Sequence, residues 1–496
     1  MSTVRSMLPA HLSDAQRMLL TLGVLGLLVL GILLWKMPLV GLGLGLAVPL
    51  LIVLLAWPEL ATPIVIFLLY INAPVVVVTF HGVPYLVGAS VILLLGFPLA
   101  YYILARRESV IIDRATPWFL AFLAIQFICL VFSRDPVMSM NVMIASVVEG
   151  FAVYVLIVNV IRTPRVLRLV TWMLLLAGSF LGGLSAFQYA TKTYHNNYGG
   201  FSQAPSPRPG RVVAPGTPRR ISGPIGESNR YAQVMLMLVP LAFFRFLGER
   251  SRLLRLLALA AMVLAMFGPL LAFSRGAGVG FFMMVGIMVA LRYIRLSHAV
   301  LIVVAGLLIL LAVPQYAERF SGLSDVWRMV NEEDQEGEEV DSSIEGRYSE
   351  NMSAALMYAE NPLIGVGPGM YPLHYREYAE RLGGRIHKTL REPHTLYLGI
   401  AAELGTPGIA VFLVMVYLVL RDLVRGRRRC LNAHPDLAHM ATAFMLAVVA
   451  YLTTGLFLHF SYVRYYWMML AMASAAARIA CTVPLPAAEP AGGETS

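Results

Sequence analysis

The chain has 496 residues, of which 58% are hydrophobic and only 13% are charged, and its mean hydropathy is +0.72. This composition excludes an ordinary soluble globular protein and indicates an integral membrane protein. The formal charge of +10 is carried mostly by arginines in short connections between apolar runs, so it does not predict a nucleic-acid partner.

Apolar runs of about 20 residues predict transmembrane helices, because backbone groups in hydrocarbon must find hydrogen bonds within the span. Fourteen runs qualify: residues 18–35, 38–56, 60–80, 84–105, 116–132, 141–161, 166–190, 229–247, 253–274, 276–294, 297–314, 394–420, 437–459 and 463–481. The first two are short and glycine-rich and could form one re-entrant hairpin. The predicted fold class is therefore all-α, a polytopic membrane protein with roughly 12–14 transmembrane helices. Without a small-residue cleavage site behind it, the first run is expected to be a retained span.

Arginines in the short connections predict the orientation, because cytoplasmic connections collect positive charge. An N-terminus on the inside places all of these on the cytoplasmic side: Arg106, Arg107, Arg114, Arg162, Arg165, Arg168, Arg245, Arg250, Arg252, Arg255, Arg292, Arg295 and the arginines within residues 421–429. Both termini are then cytoplasmic. The predicted units are an N-terminal transmembrane bundle, a first long outer loop, central transmembrane helices, a large outer loop with short helices, and C-terminal transmembrane helices with a cytoplasmic tail. Their bounds are 1–190, 191–228, 229–314, 315–393 and 394–496.

The two long outer loops hold the candidate polar chemistry. The first is rich in Pro, Gly and Arg and includes Arg211 and Arg220, which could contact anions or simply be solvated. The second contains an acidic run within residues 332–341, which lacks the pattern of a calcium loop and is interpreted as a solvated stretch. The glycines of residues 365–369 follow no strand, so a tight turn is predicted there instead of a dinucleotide site.

Cysteine and histidine usage predicts neither a disulfide in the outer loops nor a structural metal. Cys129 lies within a span, and Cys430 and Cys481 lie on or near the cytoplasmic side. No Cys or His cluster has the spacing of a zinc site.

Three residues at the predicted outer face could act together. Arg275 lies between two spans, Arg347 lies in the large loop, and His394 lies where that loop re-enters the membrane. Arginine keeps its charge and presents a planar fork to phosphate oxygens, while histidine can take a proton near neutral pH. Each alone has an ordinary explanation: a snorkelling interfacial arginine, a solvated loop arginine or a structural histidine.

Short motifs surround these residues. Residues 361–367 are NPLIGVG, residues 394–397 are HTLY, residues 403–405 are ELG, and residues 220–229 are RISGPIGESN. With the order and wide spacing of Arg275, Arg347 and His394, they resemble the O-antigen ligase and polymerase superfamily, mainly over residues 215–420.

The resemblance implies a glycosyltransferase of the bacterial inner membrane that works on the periplasmic face without a metal or other cofactor. Its donor would be a polyprenyl-diphosphate-linked glycan. The acceptor would be lipid A core in a ligase or another lipid-linked repeat unit in a polymerase. Arg275 and Arg347 would stabilise the departing diphosphate and His394 would act as general base. Arg220, Arg211 and Asn229 are the expected contacts to phosphate or sugar.

Three acidic residues invite further roles. Glu403 lies nine positions after His394, and a continuous helix would put the two on opposite faces, so Glu403 is expected to serve elsewhere. The role of Glu392 is left open. Asp135, in an outer turn, is expected to cap that turn instead of acting in catalysis.

A transporter of lipid-linked glycans is the alternative from another class. Transport pathways carry ionisable residues deep in several helices, whereas Glu149 is the evident charge within a span here. Between ligase and polymerase the sequence does not decide. The arginine-rich first loop, which could face a phosphorylated core, favours the ligase.

Overall fold

The computed structural model describes residues 57–204, 219–312, 342–383, 391–460 and 463–485. Every regular element in these ranges is helical, apart from one isolated antiparallel bridge between Gln203 and Gly223. The chain is an all-α polytopic membrane protein, as predicted. Arg211, the acidic run and both termini lie outside the described residues.

The described residues of the first half of the chain form eight α-helices. They are α1 (Pro58–Tyr70), α2 (Ala73–His81), α3 (Tyr85–Ser90), α4 (Gly96–Ala100), α5 (Thr116–Val131), α6 (Pro136–Ala145), α7 (Val153–Val160) and α8 (Pro164–Thr191). A 3₁₀ segment (Val91–Leu95) joins α3 to α4, a π segment (Tyr101–Ala105) follows α4, and another π segment (Ser146–Ala152) joins α6 to α7. Three predicted spans are therefore built from consecutive helical pieces.

The described residues of the second half form ten more helices. They are α9 (Ser228–Leu236), α10 (Leu238–Gly248), α11 (Arg252–Leu271), α12 (Arg275–Ala290), α13 (Leu296–Ala312), α14 (Ser342–Glu360), α15 (Tyr371–Arg381), α16 (Leu396–Cys430), α17 (Pro435–Thr454) and α18 (Val463–Thr482). The described part of the first long loop contains a short 3₁₀ turn, Tyr198–Gly200, and the Gln203–Gly223 bridge, which agrees with the predicted irregular structure. The large loop contains α14 and α15, the predicted short helices.

Within the described ranges, seven helical segments are long and apolar enough to cross a membrane, or eight if the bent pair α1 and α2 forms one span. The prediction of roughly 12–14 spans also counts two apolar runs within residues 1–56, which lie outside the described residues. It counts four further runs that do not meet the length and hydropathy criteria for a span. These four are helical: α5, α12 and α13 are apolar but shorter, and α18 has almost every residue buried. Helix α18 is surrounded by protein, and its buried side chains include polar ones such as Arg464 and Ser474.

The arginine-rich connections meet at one end of the bundle. Their contacts include Arg114 with Asp422 (3.1 Å), Arg162 with Glu108 (2.9 Å), Arg168 with Glu249, Arg245 with Asp436, and Arg429 with the Val483 carbonyl (3.1 Å). The long loops meet at the opposite end, where His81 contacts the Gly199 carbonyl (2.9 Å) and Ser139 donates to the Pro368 carbonyl (2.8 Å). The grouping follows the predicted alternation of sides.

Helix α16 is broken at Gly405, whose φ of 65° and ψ of −169° interrupt the helical ladder. Pro407 has no N–H to donate to the Glu403 carbonyl, so the break leaves carbonyls that need partners. The turn after α14 supplies them, and Gly365, Gly367 and Gly369 all have positive φ, as the predicted tight turn requires. Three backbone hydrogen bonds join the two segments: Val366 to Ala402 (2.9 Å), Gly367 to Glu403 (3.0 Å) and Thr406 to Pro362 (2.7 Å). The large loop is thereby fixed against α16.

Candidate functional site

Helix α14 carries two charged residues one turn apart. Arg347 is half-buried, whereas the side chain of Glu350 is only 1% exposed. Residues three apart lie on neighbouring positions of a helix face, so the guanidinium and the carboxylate face the same region. The Glu350 carbonyl also accepts a hydrogen bond from the Tyr371 hydroxyl at 2.6 Å, which ties α14 to α15. The pair is therefore held by packing from a second helix.

His394 meets Glu350 from the connection that leads into α16. The His394 Nε2 atom lies 3.1 Å from Glu350 Oε2, and Arg391 Nη1 lies 3.5 Å from Glu350 Oε1. The imidazole is 27% exposed, so it combines this buried contact with access from outside. The Leu396 N–H donates to the Gly455 carbonyl at 2.8 Å, which fixes the start of α16 just after His394.

Burial shifts both members of this pair toward their neutral forms. It raises the pKa of Glu350 to about 7, against the opposing effect of Arg391 and Arg347. Burial also lowers the pKa of His394 to about 4, and the nearby cations Arg347, Arg391 and Arg230 lower it further. The imidazole is therefore neutral at pH 7 and keeps a lone pair that can accept a proton.

A second imidazole and a buried cation border the same region. The ring centroid of His459 lies 6.5 Å from that of His394, in the turn that follows α17. Arg230 on α9 is 2% exposed and forms an ion pair with Glu227 at 3.0 Å. Burial, Arg230 and His394 together lower the pKa of His459 to about 2. Burial raises the pKa of Glu392 to about 7, against the opposing effect of Arg230.

Arg275 begins α12 at the same end of the bundle. Ser274 caps this helix by accepting a hydrogen bond from the Ala277 N–H at 3.4 Å. A Cβ atom on Gly276 would lie 3.2 Å from the Phe457 ring, so the first turn of α12 rests on the turn that contains His459. Arg347 and His394 thus share an electrostatic environment, and the first turn of α12, which begins at Arg275, packs against the turn after α17.

The other predicted substrate contacts, Arg220 and Asn229, pair with each other. Arg220 Nη2 donates to Asn229 Oδ1 at 2.6 Å, and Arg220 Nε donates to the Ala272 carbonyl at 2.8 Å. The Ile221 N–H also donates to the Leu271 carbonyl at 3.1 Å. This part of the first loop is therefore held against the end of α11, three residues before Arg275.

The structure assigns positions to two of the acidic residues that the sequence left uncertain. Glu403 Oε1 accepts a hydrogen bond from the Tyr371 N–H at 3.2 Å, so it holds the start of α15 and serves away from His394, as predicted. Asp135 caps α6 by accepting from the N–H groups of Val137 (3.0 Å) and Met138 (3.1 Å), which confirms the predicted capping role.

Among the described residues, no group of three or more His, Cys, Asp or Glu side chains is placed to hold a metal ion. The polar groups that converge are an imidazole, a carboxylate and guanidinium cations. Such a set can bind an anion and exchange a proton with a neighbouring hydroxyl.

Three participants in this region were missed from the sequence: Glu350, Arg230 and His459. Glu350 had a usable indication, because it follows Arg347 by three residues in a loop that was predicted to contain short helices. Arg230 and His459 lie 164 and 65 positions from His394, and no local pattern links residues so far apart.

Residues 260–413 match the family model described as O-antigen ligase. The match supports membership of the O-antigen ligase superfamily. The matching segment contains Arg275, Arg347, Glu350 and His394, whereas Arg230 and His459 lie outside it. The O-antigen ligase match supports a role connected with glycosyl transfer in the processing of O-antigen or lipid-linked glycans. No curated protein sequence matches the chain.

Proposed function

We propose that the chain is a metal-independent, inverting glycosyltransferase of the bacterial inner membrane. It would move a glycan from a polyprenyl diphosphate to the lipid A core, on the periplasmic face. The observation that carries the proposal is the contact between His394 and Glu350, one helical turn from Arg347, within the O-antigen ligase match. This arrangement supplies both a proton acceptor and a cation for a leaving diphosphate.

The leaving group sets the role of the arginines. When the bond between the anomeric carbon and the diphosphate oxygen breaks, the electron pair stays on that oxygen and negative charge develops there. Arg347 and Arg275 are guanidinium groups that remain charged at any physiological pH and can contact phosphate oxygens in pairs. Cations placed in advance stabilise such charge strongly in a site of low dielectric constant.

The acceptor sets the role of His394. As the acceptor oxygen bonds to the anomeric carbon, its proton passes to the neutral imidazole, and the diphosphate departs from the opposite face. Direct displacement of this kind inverts the anomeric centre. General-base assistance of this type contributes on the order of 10²- to 10⁴-fold in rate. Since the surrounding cations and burial keep the imidazole unprotonated, the base is ready at neutral pH.

The test is transfer by purified protein in lipid nanodiscs, with a polyprenyl-diphosphate-linked glycan as donor and lipid A core as acceptor. His394→Ala should reduce kcat by about 10²-fold or more. His374→Ala, which removes an imidazole from α15 outside this cluster, is the control and should retain activity. Full activity of His394→Ala would remove that residue from the mechanism. Activity lost with chelator and restored by magnesium would contradict the metal-independent step.

The choice of acceptor is tested separately in the native host. The ligase is favoured because the arginine-rich first loop, including the described Arg219 and Arg220, could face a phosphorylated core. Deletion should then leave lipid A core without polymer while lipid-linked polymer accumulates. Core capped with single repeats would instead identify a polymerase that joins lipid-linked repeat units.

A further inference from the structure

We propose that Glu350 is the positioning residue for His394: it orients the imidazole and stabilises the imidazolium formed when the acceptor proton is taken. The inference rests on the proposed function, because it assigns a partner to the proposed base. It adds a residue that links the base to the helix that carries Arg347.

The placement of Glu350 supports this role. Its side chain is 1% exposed, and each carboxylate oxygen faces a different partner. Oε2 lies 3.1 Å from His394, and Oε1 lies 3.5 Å from the Arg391 guanidinium. The contact with His394 has the separation of an ion pair, although its angles fall outside hydrogen-bond geometry. Contacts of this kind commonly tighten when a substrate is bound. A buried carboxylate is costly without partners, so these two contacts define its environment.

The carboxylates nearby are engaged differently. Glu403 accepts from the Tyr371 N–H, and Glu392 lies where Arg230 affects its ionisation. Glu350 is therefore the carboxylate that the described residues place against the His394 ring. It also sits one turn after Arg347, so a single rigid helix sets the distance between the phosphate-binding cation and the support of the base.

The pH dependence of kcat/KM distinguishes a positioning role of Glu350 from a purely structural role in the loop. The charged or titratable groups that face Glu350 come from three elements: Arg347 on α14, Tyr371 on α15, and Arg391 and His394 in the connection before α16. Burial raises the pKa of Glu350 to about 7, so its carboxylate form is lost as the pH falls through that value. If the carboxylate supports the base, kcat/KM of the wild type should fall as the pH drops through about 7.

The experiment compares Glu350→Gln, Glu350→Asp and wild type in the nanodisc transfer assay between pH 4.5 and 9. Glu350→Gln should lower kcat/KM at pH 8 by between about 10- and 10⁴-fold, the range for carboxylates that orient a histidine. It should also lose the inflection near pH 7. Glu350→Asp should restore part of the rate together with that inflection. Glu360→Gln is the matched control, because Glu360 is on the same helix but pairs with Arg381 at its far end.

Three outcomes distinguish the possibilities. A Glu350→Gln protein with wild-type rate and an unchanged inflection would overturn the inference, provided that His394→Ala is inactive. An active His394→Ala protein would overturn the proposed function itself. The double variant Glu350→Gln/His394→Ala should be no slower than His394→Ala alone, because residues that act as a unit are not additive. If Glu350→Gln fails to fold, Glu350→Asp carries the test: a wild-type rate, or a reduced rate without the inflection, overturns the inference.

Discussion

The charge state of a few side chains decides the proposed chemistry. Arg347, Arg391 and Arg230 lower the pKa of His394 after burial has already lowered it, so the free protein holds a neutral but weak base. A diphosphate bound beside Arg347 would oppose that cation and raise the proton affinity of the imidazole. Donor binding and activation of the base would then be coupled through one guanidinium.

Replacing Arg347 by lysine tests the need for a planar guanidinium at this position. The ammonium keeps the charge but does not reproduce the planar fork, so Arg347→Lys should reduce kcat/KM by roughly 10²- to 10³-fold, as for removal of one oxyanion donor. Arg275→Lys should behave in the same way. Transfer rates at saturating acceptor and variable donor are the measurement.

Arg376→Lys is the control for both arginine variants, because Arg376 is 75% exposed on α15 and pairs only weakly across the surface with Glu380. It should transfer at the wild-type rate. Undiminished turnover in Arg347→Lys or Arg275→Lys would show that a single positive charge suffices there and would remove the fork from the mechanism.

The sequence predicted the proposed cations and the proposed base, but it did not predict the residues that surround the base. Arg275, Arg347 and His394 carry chemistry that can be recognised from residue type, order and surrounding motifs. The neighbours of His394 are brought to it by the tertiary fold. Glu350 comes from α14, Arg230 from α9 and His459 from the turn after α17. Hydropathy and local motifs contain no information about such contacts.

At the scale of helices, close packing of α12 positions Arg275, the first residue of that helix. Helix α12 approaches the end of α17 and the turn after it through Gly276 and Gly280, whose four-residue spacing allows close contact. A Cβ atom on Gly280 would lie 2.9 Å from Thr454 Cγ2 and 3.3 Å from the Ala450 carbonyl oxygen. Thr454 is itself held, because its hydroxyl accepts from Gln233 Nε2 at 2.8 Å. The start of α12 is therefore sensitive to volume at this contact.

Two alanine substitutions in one helix test that contact. Gly280→Ala should destabilise the protein by about 1–3 kcal/mol through overpacking, and it should lower transfer by displacing Arg275. Gly286→Ala is matched, since a Cβ there would meet nothing within 4 Å, and it should be neutral or slightly stabilising. Thermal unfolding in detergent and transfer rate are measured together. Equal stability of the two variants would refute a tight contact at Gly280.

Helix positions were predictable because hydropathy is a local property. Each of the predicted spans that falls on described residues coincides with a helix or with consecutive helical pieces. The break of α16 at Gly405 was not predicted, because it depends on the turn at residues 362–367 donating hydrogen bonds to carbonyls 36 positions later in the chain. The glycines in that turn were correctly predicted to form a tight turn, but its docking partner was not.

At the scale of the whole molecule, the two ends of the bundle differ in charge and contacts. The arginine-rich connections form ion pairs with one another at one end, and the candidate site lies at the other. Cytoplasmic connections collect arginine, so this separation supports the proposal that the site faces the periplasm. A site on that face would meet lipid-linked glycans only after they have been carried across the membrane.

Cysteine labelling tests the orientation. After replacement of the three native cysteines, single cysteines are introduced at the exposed positions His195 and Glu377 in the two long loops, and at Ser251 and Asn432 at the opposite end of the bundle. A maleimide that cannot cross the inner membrane should label His195→Cys and Glu377→Cys in intact cells, and all four after detergent. The two variants at the opposite end serve as internal controls for membrane integrity. Labelling of Ser251→Cys and Asn432→Cys alone would place the site in the cytoplasm, and labelling of one variant from each end would contradict the separation of the two ends across the membrane.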